Sequence, residues 1–293
     1  MENFKKVITA LVTPFKNGKV DFESIEKLVE HQLENGIEGF VINGTTGESP
    51  TLTAGERKEI FKKMRGICGS DIPLIMGTGS NSTQKTIEDS REAEVLGADA
   101  ILVVVPYYNK PPQRGLIEHF NQVADSVAVP TILYNVPGRT ITSLTVESIE
   151  TLSRNPKIIG IKEASGNSEF TKEIIQKTPK SFVMLSGDDG TYPEFMRVGG
   201  HGVISVASHV IPKEMVSWRK KAAAGEHSGT NEIRNWMKLI DLLFIEANPI
   251  PVKMALYIMG LIASPEMRLP LVTLGNKETE LLKQEMQQMG LAK

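Results

Sequence analysis

The sequence has few of the residues that would place the protein in a specialised class. It has one cysteine, Cys68, among 293 residues, which excludes an intrachain disulfide and a multi-cysteine metal site. Neither sign of charge is in excess, because 33 basic residues stand against 35 acidic ones and give a net charge of −2. No nucleic-acid-binding surface is therefore predicted.

Long apolar runs and metal-ligand patterns are also missing. No window approaches the roughly 18 to 20 apolar residues of a membrane span, and the first residues lack the pattern of a signal peptide. The five histidines show no metal-ligand spacing, so no metal site is predicted. We expect a cytoplasmic protein that binds small molecules and contacts neither nucleic acid nor membrane.

Short β-branched runs alternate with helical patterns through most of the chain. Each run is near-continuously apolar, and each helical pattern repeats apolar residues at three- and four-residue spacing. Strands that alternate with helices favour a parallel sheet with right-handed crossovers. The eight runs are Val7–Val12, Gly39–Asn43, Pro73–Met76, Ala100–Val105, Pro130–Asn135, Ile158–Lys162, Phe182–Ser186 and Gly202–Val206. This pattern predicts an α/β fold, a (β/α)8 TIM barrel, rather than an open doubly wound sheet.

The strand pattern stops after Val206, and only helical segments separated by proline and glycine follow. The segment KEMVSWRKKAAAG can supply the eighth helix of the barrel. The segments TNEIRNWMKLIDLLFIEA, PVKMALYIMGLI and KETELLKQEMQQMG predict a C-terminal helical appendage. We therefore divide the chain into a catalytic barrel at residues 1–227 and a helical region at residues 228–293.

Lys162 is the unusual residue of the sixth run, because it ends a strand that reads as buried on both faces. A buried ammonium group is costly unless it is paired, loses its proton or takes part in chemistry. In a TIM barrel the carboxyl ends of the strands carry the active site. The same rim is predicted to collect the hydroxyls of Thr45, Thr46 and Tyr134 and the guanidinium of Arg139.

This set of side chains suits Schiff-base chemistry. Desolvation favours the neutral form of an amine, which can attack a ketone and form an iminium ion that acts as an electron sink. Tyrosine and threonine hydroxyls can pass protons without adding a fixed charge beside the iminium. The glycine-bracketed Thr45-Thr46 turn can donate to one carboxylate, and the fork of Arg139 suits a second. The rim therefore predicts class I aldolase chemistry.

The motifs GTTGES, PYYNKPPQ, YNVPGRT, GIKEASG, SGDD, GGHGVISV and EANPIPVK together resemble the dihydrodipicolinate synthase family. The resemblance runs from about Val7 to Leu271. It implies a lyase of lysine and diaminopimelate biosynthesis that condenses pyruvate with aspartate 4-semialdehyde to 4-hydroxy-tetrahydrodipicolinate, without a cofactor. It also implies a homo-oligomer, either a dimer or a dimer of dimers (homotetramer).

The resemblance implies a role for each matching residue. Lys162 would form the Schiff base, and Tyr134 would transfer protons through Thr45 to Tyr108, which would reach into the site of a neighbouring subunit. Thr45 and Thr46 would bind the pyruvate carboxylate, and Arg139 the carboxylate of the semialdehyde. The remaining expected pocket residues are Gly187 and Ile204.

Related pyruvate-dependent aldolases are the alternative interpretation. N-acetylneuraminate lyase or a 2-keto-3-deoxy sugar acid aldolase would share the lysine and Tyr134 but typically lacks an arginine at the position of Arg139, so the sequence favours the synthase. The resemblance also implies a site for feedback inhibition by lysine at Ser49, Pro50, Ala54, Arg57, Asn81, Lys85 and Tyr107. Because inhibited members often carry histidines at the positions of Ala54 and Arg57 and an acid at that of Lys85, we expect weak or absent inhibition.

Overall fold

Eight parallel strands close into a barrel in the computed structural model, which describes residues 1–226 and 232–292. Each strand pairs with its neighbour in the chain, and the first strand also pairs with the last. The strands are β1 (Val7–Ala10), β2 (Phe40–Ile42), β3 (Leu74–Gly77), β4 (Ala100–Val104), β5 (Thr131–Asn135), β6 (Ile158–Glu163), β7 (Val183–Ser186) and β8 (Gly202–Ser205). The predicted TIM barrel and all eight predicted strands are confirmed, within one or two residues at their ends.

Burial on both faces explains why the strand sequences are apolar at every position. Alternate residues of a strand point to opposite faces, and here one face fills the barrel while the other packs against helices. Ile8, Ile75 and Ile132 belong to the inner cluster, and their neighbours Val7 and Leu74 belong to the outer one. The carboxyl ends of the strands are thereby fixed by two layers of packing.

A helix follows each strand and covers the outside of the barrel. Local sequence sets several of the helix starts: Asp21, Thr53, Ser82, Thr145 and Asn167 each accept a hydrogen bond from a backbone N–H of the first turn. The helices are α1 (Phe22–Glu34), α2 (Ala54–Cys68), α3 (Thr83–Leu96), α4 (Gln113–Asp125), α5 (Val146–Leu152), α6 (Ser168–Lys177), α7 (Tyr192–Arg197) and α8 (Pro212–Ala223), and a single helical turn at Pro137–Thr140 precedes α5.

The C-terminal region adds the helices α9 (Met237–Leu242), α10 (Ile250–Ile258) and α11 (Asn276–Gln288). The second and third of these match predicted helical segments, whereas the long helix expected for TNEIRNWMKLIDLLFIEA is interrupted by a turn at residues 235–236, between a helical stretch at residues 232–234 and α9. Thr230 and Asn231 at its start, and the predicted boundary between residues 227 and 228, lie outside the described residues. Within the described ranges, no helix is both long and apolar enough to span a bilayer.

A small hairpin follows β1, in a stretch that the sequence pattern treats as a plain connection. Residues Phe15–Lys16 pair with Lys19–Val20 in antiparallel fashion. Asn17 and Gly18 form the turn with φ of 54° and 76°, and Asn-Gly is the strongest short-range hairpin signal. The side chain of Phe15 is fully buried, so the hairpin delivers an aromatic ring toward the C-terminal helices.

Candidate active site

A cavity of about 400 Å³ opens at the carboxyl ends of the strands. It lies where a TIM barrel is expected to carry its catalytic groups. Five of the predicted site residues line it, and they follow or end three different strands: Thr45, Thr46, Tyr134, Arg139 and Lys162. Residues far apart in sequence are thus brought to one place by the barrel.

Lys162 lies on β6 beside Tyr134 of β5, because the register of the two strands pairs these positions. The lysine is 7% exposed, and its Nζ lies 4.2 Å from the centre of the Tyr134 ring. Lys162 takes part in no ion pair among residues 1–226 and 232–292. A buried amine without a carboxylate partner is free to attack a carbonyl group that enters the cavity.

Gly187 follows β7, the strand next to that of the lysine, and Ile204 lies on β8. A Cβ atom placed on Gly187 would lie 2.9 Å from Cε and 3.0 Å from Cγ of Lys162, so only glycine leaves room for the lysine chain at this point. Ile204 is buried in the inner cluster together with Tyr134. Both residues therefore belong to the surroundings of the predicted reacting groups.

The loop after β2 presents Thr45 and Thr46 to the cavity. Thr46 is buried, and its Oγ1 accepts a hydrogen bond of 2.9 Å from Nδ2 of Asn248. The backbone carbonyl of Asn248 in turn accepts a hydrogen bond of 3.2 Å from Nη2 of Arg139. Asn248 of the C-terminal region thus contacts two of the three residues that the sequence assigns to carboxylates, Thr46 and Arg139.

The adjacent tyrosines after β4 differ in their surroundings. Tyr107 lines the cavity, whereas Tyr108 is 86% exposed. Tyr108 also has a φ of 75°, a left-handed backbone conformation that costs a non-glycine residue roughly 1 to 2 kcal/mol. Of the predicted catalytic residues, Tyr108 is therefore the one that the fold of a single chain does not bring to the lysine.

Cations dominate the cavity walls. Apart from the Lys162 amine, the charged side chains among its described lining residues are three cations and one carboxylate: Arg57, Lys85, Arg139 and Asp89. Walls of one sign raise the local concentration of ligands of the opposite sign. The cavity therefore suits small anionic substrates such as keto acids.

Glu163 follows the lysine and lies on the other face of β6, away from the cavity lining. Its carboxylate accepts hydrogen bonds of 2.7 Å from Nδ2 of Asn135 and 2.5 Å from the backbone N–H of Ser165. Burial raises the pKa of Glu163, and these hydrogen bonds oppose that effect. Glu163 ties the end of β6 to β5 and to the loop beyond the lysine.

The amino-acid sequence matches a known protein family over almost its whole length. Residues 3–289 match the Dihydrodipicolinate synthetase family. The chain belongs to this family. A 4-hydroxy-tetrahydrodipicolinate synthase of Bdellovibrio bacteriovorus is 61% identical over 292 residues, which cover 99% of this chain and 100% of that protein. The expected family is thus confirmed, and the comparison favours the synthase over the sugar-acid aldolases.

Solved structures of family members have the same fold. The chloride-inhibited dihydrodipicolinate synthase of Acinetobacter baumannii, complexed with pyruvate, is 42% identical with a TM-score of 0.95, covering 98% of this chain and 99% of that one. The synthase of Cyanidioschyzon merolae with lysine bound is 41% identical with a TM-score of 0.94, covering 99% of each chain. The fold of these synthases therefore matches nearly all of this chain.

The residues expected to form a lysine site lie partly on the wall of the same cavity. Asp89 accepts a hydrogen bond of 2.6 Å from Lys85, and its Oδ1 lies 3.5 Å from Arg57. Sequence patterns did not single out Asp89, because it lies on α3, four residues after Lys85, and reads as an ordinary helix-surface acid. Two cations and one carboxylate occupy this part of the wall.

Sequence reasoning also missed the side chains that hold the loop after β2. Glu48 lies in the motif GTTGES, and Asn248 and Lys253 lie in EANPIPVK. These motifs indicated the family, but their spacing gave no sign that the two segments touch. The structure joins them through two hydrogen bonds, from Asn248 to Thr46 and from Lys253 to Glu48.

Proposed function

We propose that this member of the dihydrodipicolinate synthetase family condenses pyruvate with aspartate 4-semialdehyde through an imine on Lys162, giving 4-hydroxy-tetrahydrodipicolinate. The observation that carries the proposal is the buried Lys162 amine, which lies against Tyr134 in a cavity whose charged wall residues are mainly cations. The amine attacks the ketone carbon of pyruvate, and the carbonyl oxygen leaves as water.

The iminium then draws electrons from the pyruvate methyl group, which loses a proton and becomes an enamine. The enamine carbon attacks the aldehyde carbon of the semialdehyde, whose oxygen takes up a proton. The amino group of the semialdehyde next attacks the iminium carbon, which closes the ring and releases Lys162. We assign these proton transfers to Tyr134, and the position of its ring beside the lysine nitrogen supports the assignment.

Carboxylate recognition divides between two parts of the cavity wall. Thr45 and Thr46 bind the pyruvate carboxylate with hydroxyl and backbone donors, and Arg139 binds the carboxylate of the semialdehyde. The link from Thr46 through Asn248 to Arg139 supports this division, since it fixes the spacing of the two groups. Gly187 and Ile204 shape the pocket around the lysine.

Tyr108 completes the proton relay in a neighbouring subunit. Its high exposure and left-handed backbone support this role, because a strained aromatic residue that packs little within its own chain is stabilised by contact with a second one. The functional unit is thus a homo-oligomer built on a dimer, working in the cytoplasm.

Trapping of the imine tests the proposal. Sodium borohydride reduces an imine to a stable amine, so intact-mass measurement of the protein treated with pyruvate and borohydride should show one pyruvate-sized adduct. Lys162→Ala should show none. Lys85→Ala is the matched control, because Lys85 is a second lysine of the cavity wall, and it should keep the adduct. An adduct on Lys162→Ala, or none on the native protein, would refute the assignment.

A further inference from the structure

A fully buried ion pair joins the C-terminal helices to the loop that presents Thr45 and Thr46. Nζ of Lys253 lies 2.7 Å from Oε1 of Glu48, and both side chains are 0% exposed. The two residues are 205 positions apart. A buried ion pair often stabilises a fold no better than apolar side chains of similar size, so general stability does not account for this one.

The remaining hydrogen-bonding groups of the pair are also occupied. Lys253 donates a second hydrogen bond of 2.7 Å to the backbone carbonyl of Glu266, and its Nζ lies 4.3 Å from the centre of the Phe15 ring. The other oxygen of Glu48 accepts a hydrogen bond of 3.0 Å from the backbone N–H of Arg268. The carboxylate is therefore held at both oxygens and has one orientation.

The orientation of Glu48 fixes the turn before it. Glu48 has a φ of 54°, and its backbone N–H donates a hydrogen bond of 3.1 Å to the carbonyl of Thr45. The carbonyl of Gly47 accepts a hydrogen bond of 2.8 Å from Thr13. A left-handed conformation at a glutamate persists only where surrounding contacts enforce it, and the buried pair supplies those contacts.

The same pair also places Asn248. Lys253 lies on α10, which begins at Ile250, two residues after Asn248. Asn248 donates to Thr46 and accepts from Arg139. The ion pair with Glu48 thus holds α10 in place, and with it both the turn that carries Thr46 and Asn248, which donates to the Thr46 hydroxyl.

We propose that Glu48 and Lys253 are positioning residues that hold the loop of Thr45 and Thr46 in the conformation that binds the carboxylate of the keto acid. This inference rests on the proposed function, since it concerns the affinity for pyruvate. Neither residue is among the residues that line the cavity. Both act through the threonines, so their loss should weaken pyruvate binding more than it slows the chemical steps.

The double variant Glu48→Gln/Lys253→Met tests the proposal. It removes both charges together, so no unpaired buried charge remains, while the introduced glutamine keeps an acceptor for the Arg268 N–H. We expect a melting temperature near that of the native protein, a KM for pyruvate raised by about tenfold, as for one displaced hydrogen bond, and kcat within about threefold. The borohydride adduct should still form at saturating pyruvate.

Arg219→Met is the matched control. Arg219 forms a partly buried ion pair with Glu38 before β2, at the end of the barrel opposite the cavity, and its loss should leave the KM for pyruvate unchanged. A double variant with native stability and a native KM would overturn the proposal, as would an equal rise in KM for Arg219→Met. If the double variant does not fold, Glu48→Asp, which keeps both charges but draws the carboxylate back by one methylene group, should raise KM in the same direction, and an unchanged KM would again overturn the proposal.

The native protein separates this inference from the proposed function. A native protein that forms no adduct would overturn the proposed function and the inference with it. A native protein that forms the adduct, together with a double variant of unchanged KM, would overturn the inference alone.

Discussion

Gly187 lies directly against the lysine proposed to form the imine, so Gly187→Ala perturbs that lysine without removing any polar group. The new Cβ would lie 2.7 Å from Cβ of Ala164 and 2.9 Å from Cε of Lys162. Carbon atoms in ordinary contact are about 3.5 to 4.0 Å apart. The lysine chain must therefore move by roughly 0.5 to 1 Å to accommodate the methyl group.

A displacement of this size should reduce the stability of the fold only modestly but slow the reaction strongly. Misplacing a reacting group by about 1 Å can cost roughly 100-fold in rate, which corresponds to about 2.7 kcal/mol of activation free energy. Overpacking by one methyl group costs about 1 to 3 kcal/mol of stability. We expect kcat/KM to fall by about 100-fold while the protein remains folded.

The assay combines steady-state kinetics with thermal unfolding and imine trapping. Gly66→Ala is the control, because a Cβ at Gly66 on α2 would meet nothing within 4 Å and should leave the rate unchanged. A native kcat/KM for a folded Gly187→Ala protein would refute the reasoning. A loss equal in both variants would also refute it.

Three further predictions concern the neighbouring subunit, acid stability and inhibition. Tyr108→Phe should lower kcat with little change in unfolding temperature, because it removes only the hydroxyl proposed to enter the partner's site. His209 should make the protein less stable in urea as the pH falls from about 6.5 to 4, by up to roughly 3 kcal/mol, because burial lowers the pKa of its imidazole to about 4. Lysine should inhibit weakly or not at all, because Lys85 would repel the ammonium group of the ligand.

The sign of the acid effect follows from the contacts of His209. Its Nε2 accepts a hydrogen bond from the N–H of Val12, and its Nδ1 donates to the carbonyl of Val206. The folded protein thus holds the neutral ring, whereas the unfolded chain binds a proton below about pH 6.5. The contribution of neutral His209 to the free energy of unfolding is therefore present above about pH 6.5 and is lost as the pH falls toward 4. In the His209→Asn variant, the free energy of unfolding should fall less steeply with decreasing pH than in the native protein. An equal dependence on pH in the two proteins would contradict the argument.

Native activity of Tyr108→Phe would remove that hydroxyl from the proton relay. Inhibition at micromolar lysine would contradict the third prediction. Both results come from steady-state rates, the second with lysine added at fixed substrate concentrations.

Local sequence was sufficient to predict the barrel because each strand is buried on both faces. A strand such as Ala100–Val104 is apolar at every position, and a helix with a recognisable period follows it. Such runs define a parallel sheet, and the strand ends then locate the cavity. The convergence of Lys162 with Tyr134 followed from the register of adjacent strands.

Local sequence patterns did not predict the contacts between segments that are far apart in the chain. Glu48 and Lys253 read separately as ordinary charged residues, and only the folded chain shows that both side chains are fully buried. For this pair, tertiary packing, which a local window does not contain, decides the structure. The hairpin at Phe15–Lys16 was missed because strands of two residues carry no period, although its Asn17-Gly18 turn is a local signal.

The excess of cations in the cavity wall makes the capture of substrate depend on the ionic strength of the solution. Attraction between the cations Arg139 and Lys85 and the carboxylate of an approaching substrate acts over the Debye length, about 8 Å at physiological ionic strength and about 3 Å at 1 M. Dissolved salt therefore screens the attraction between the wall cations and the substrate before any hydrogen bond forms. Capture of the keto acid should slow in concentrated electrolyte while the imine chemistry, once inside the cavity, proceeds unchanged.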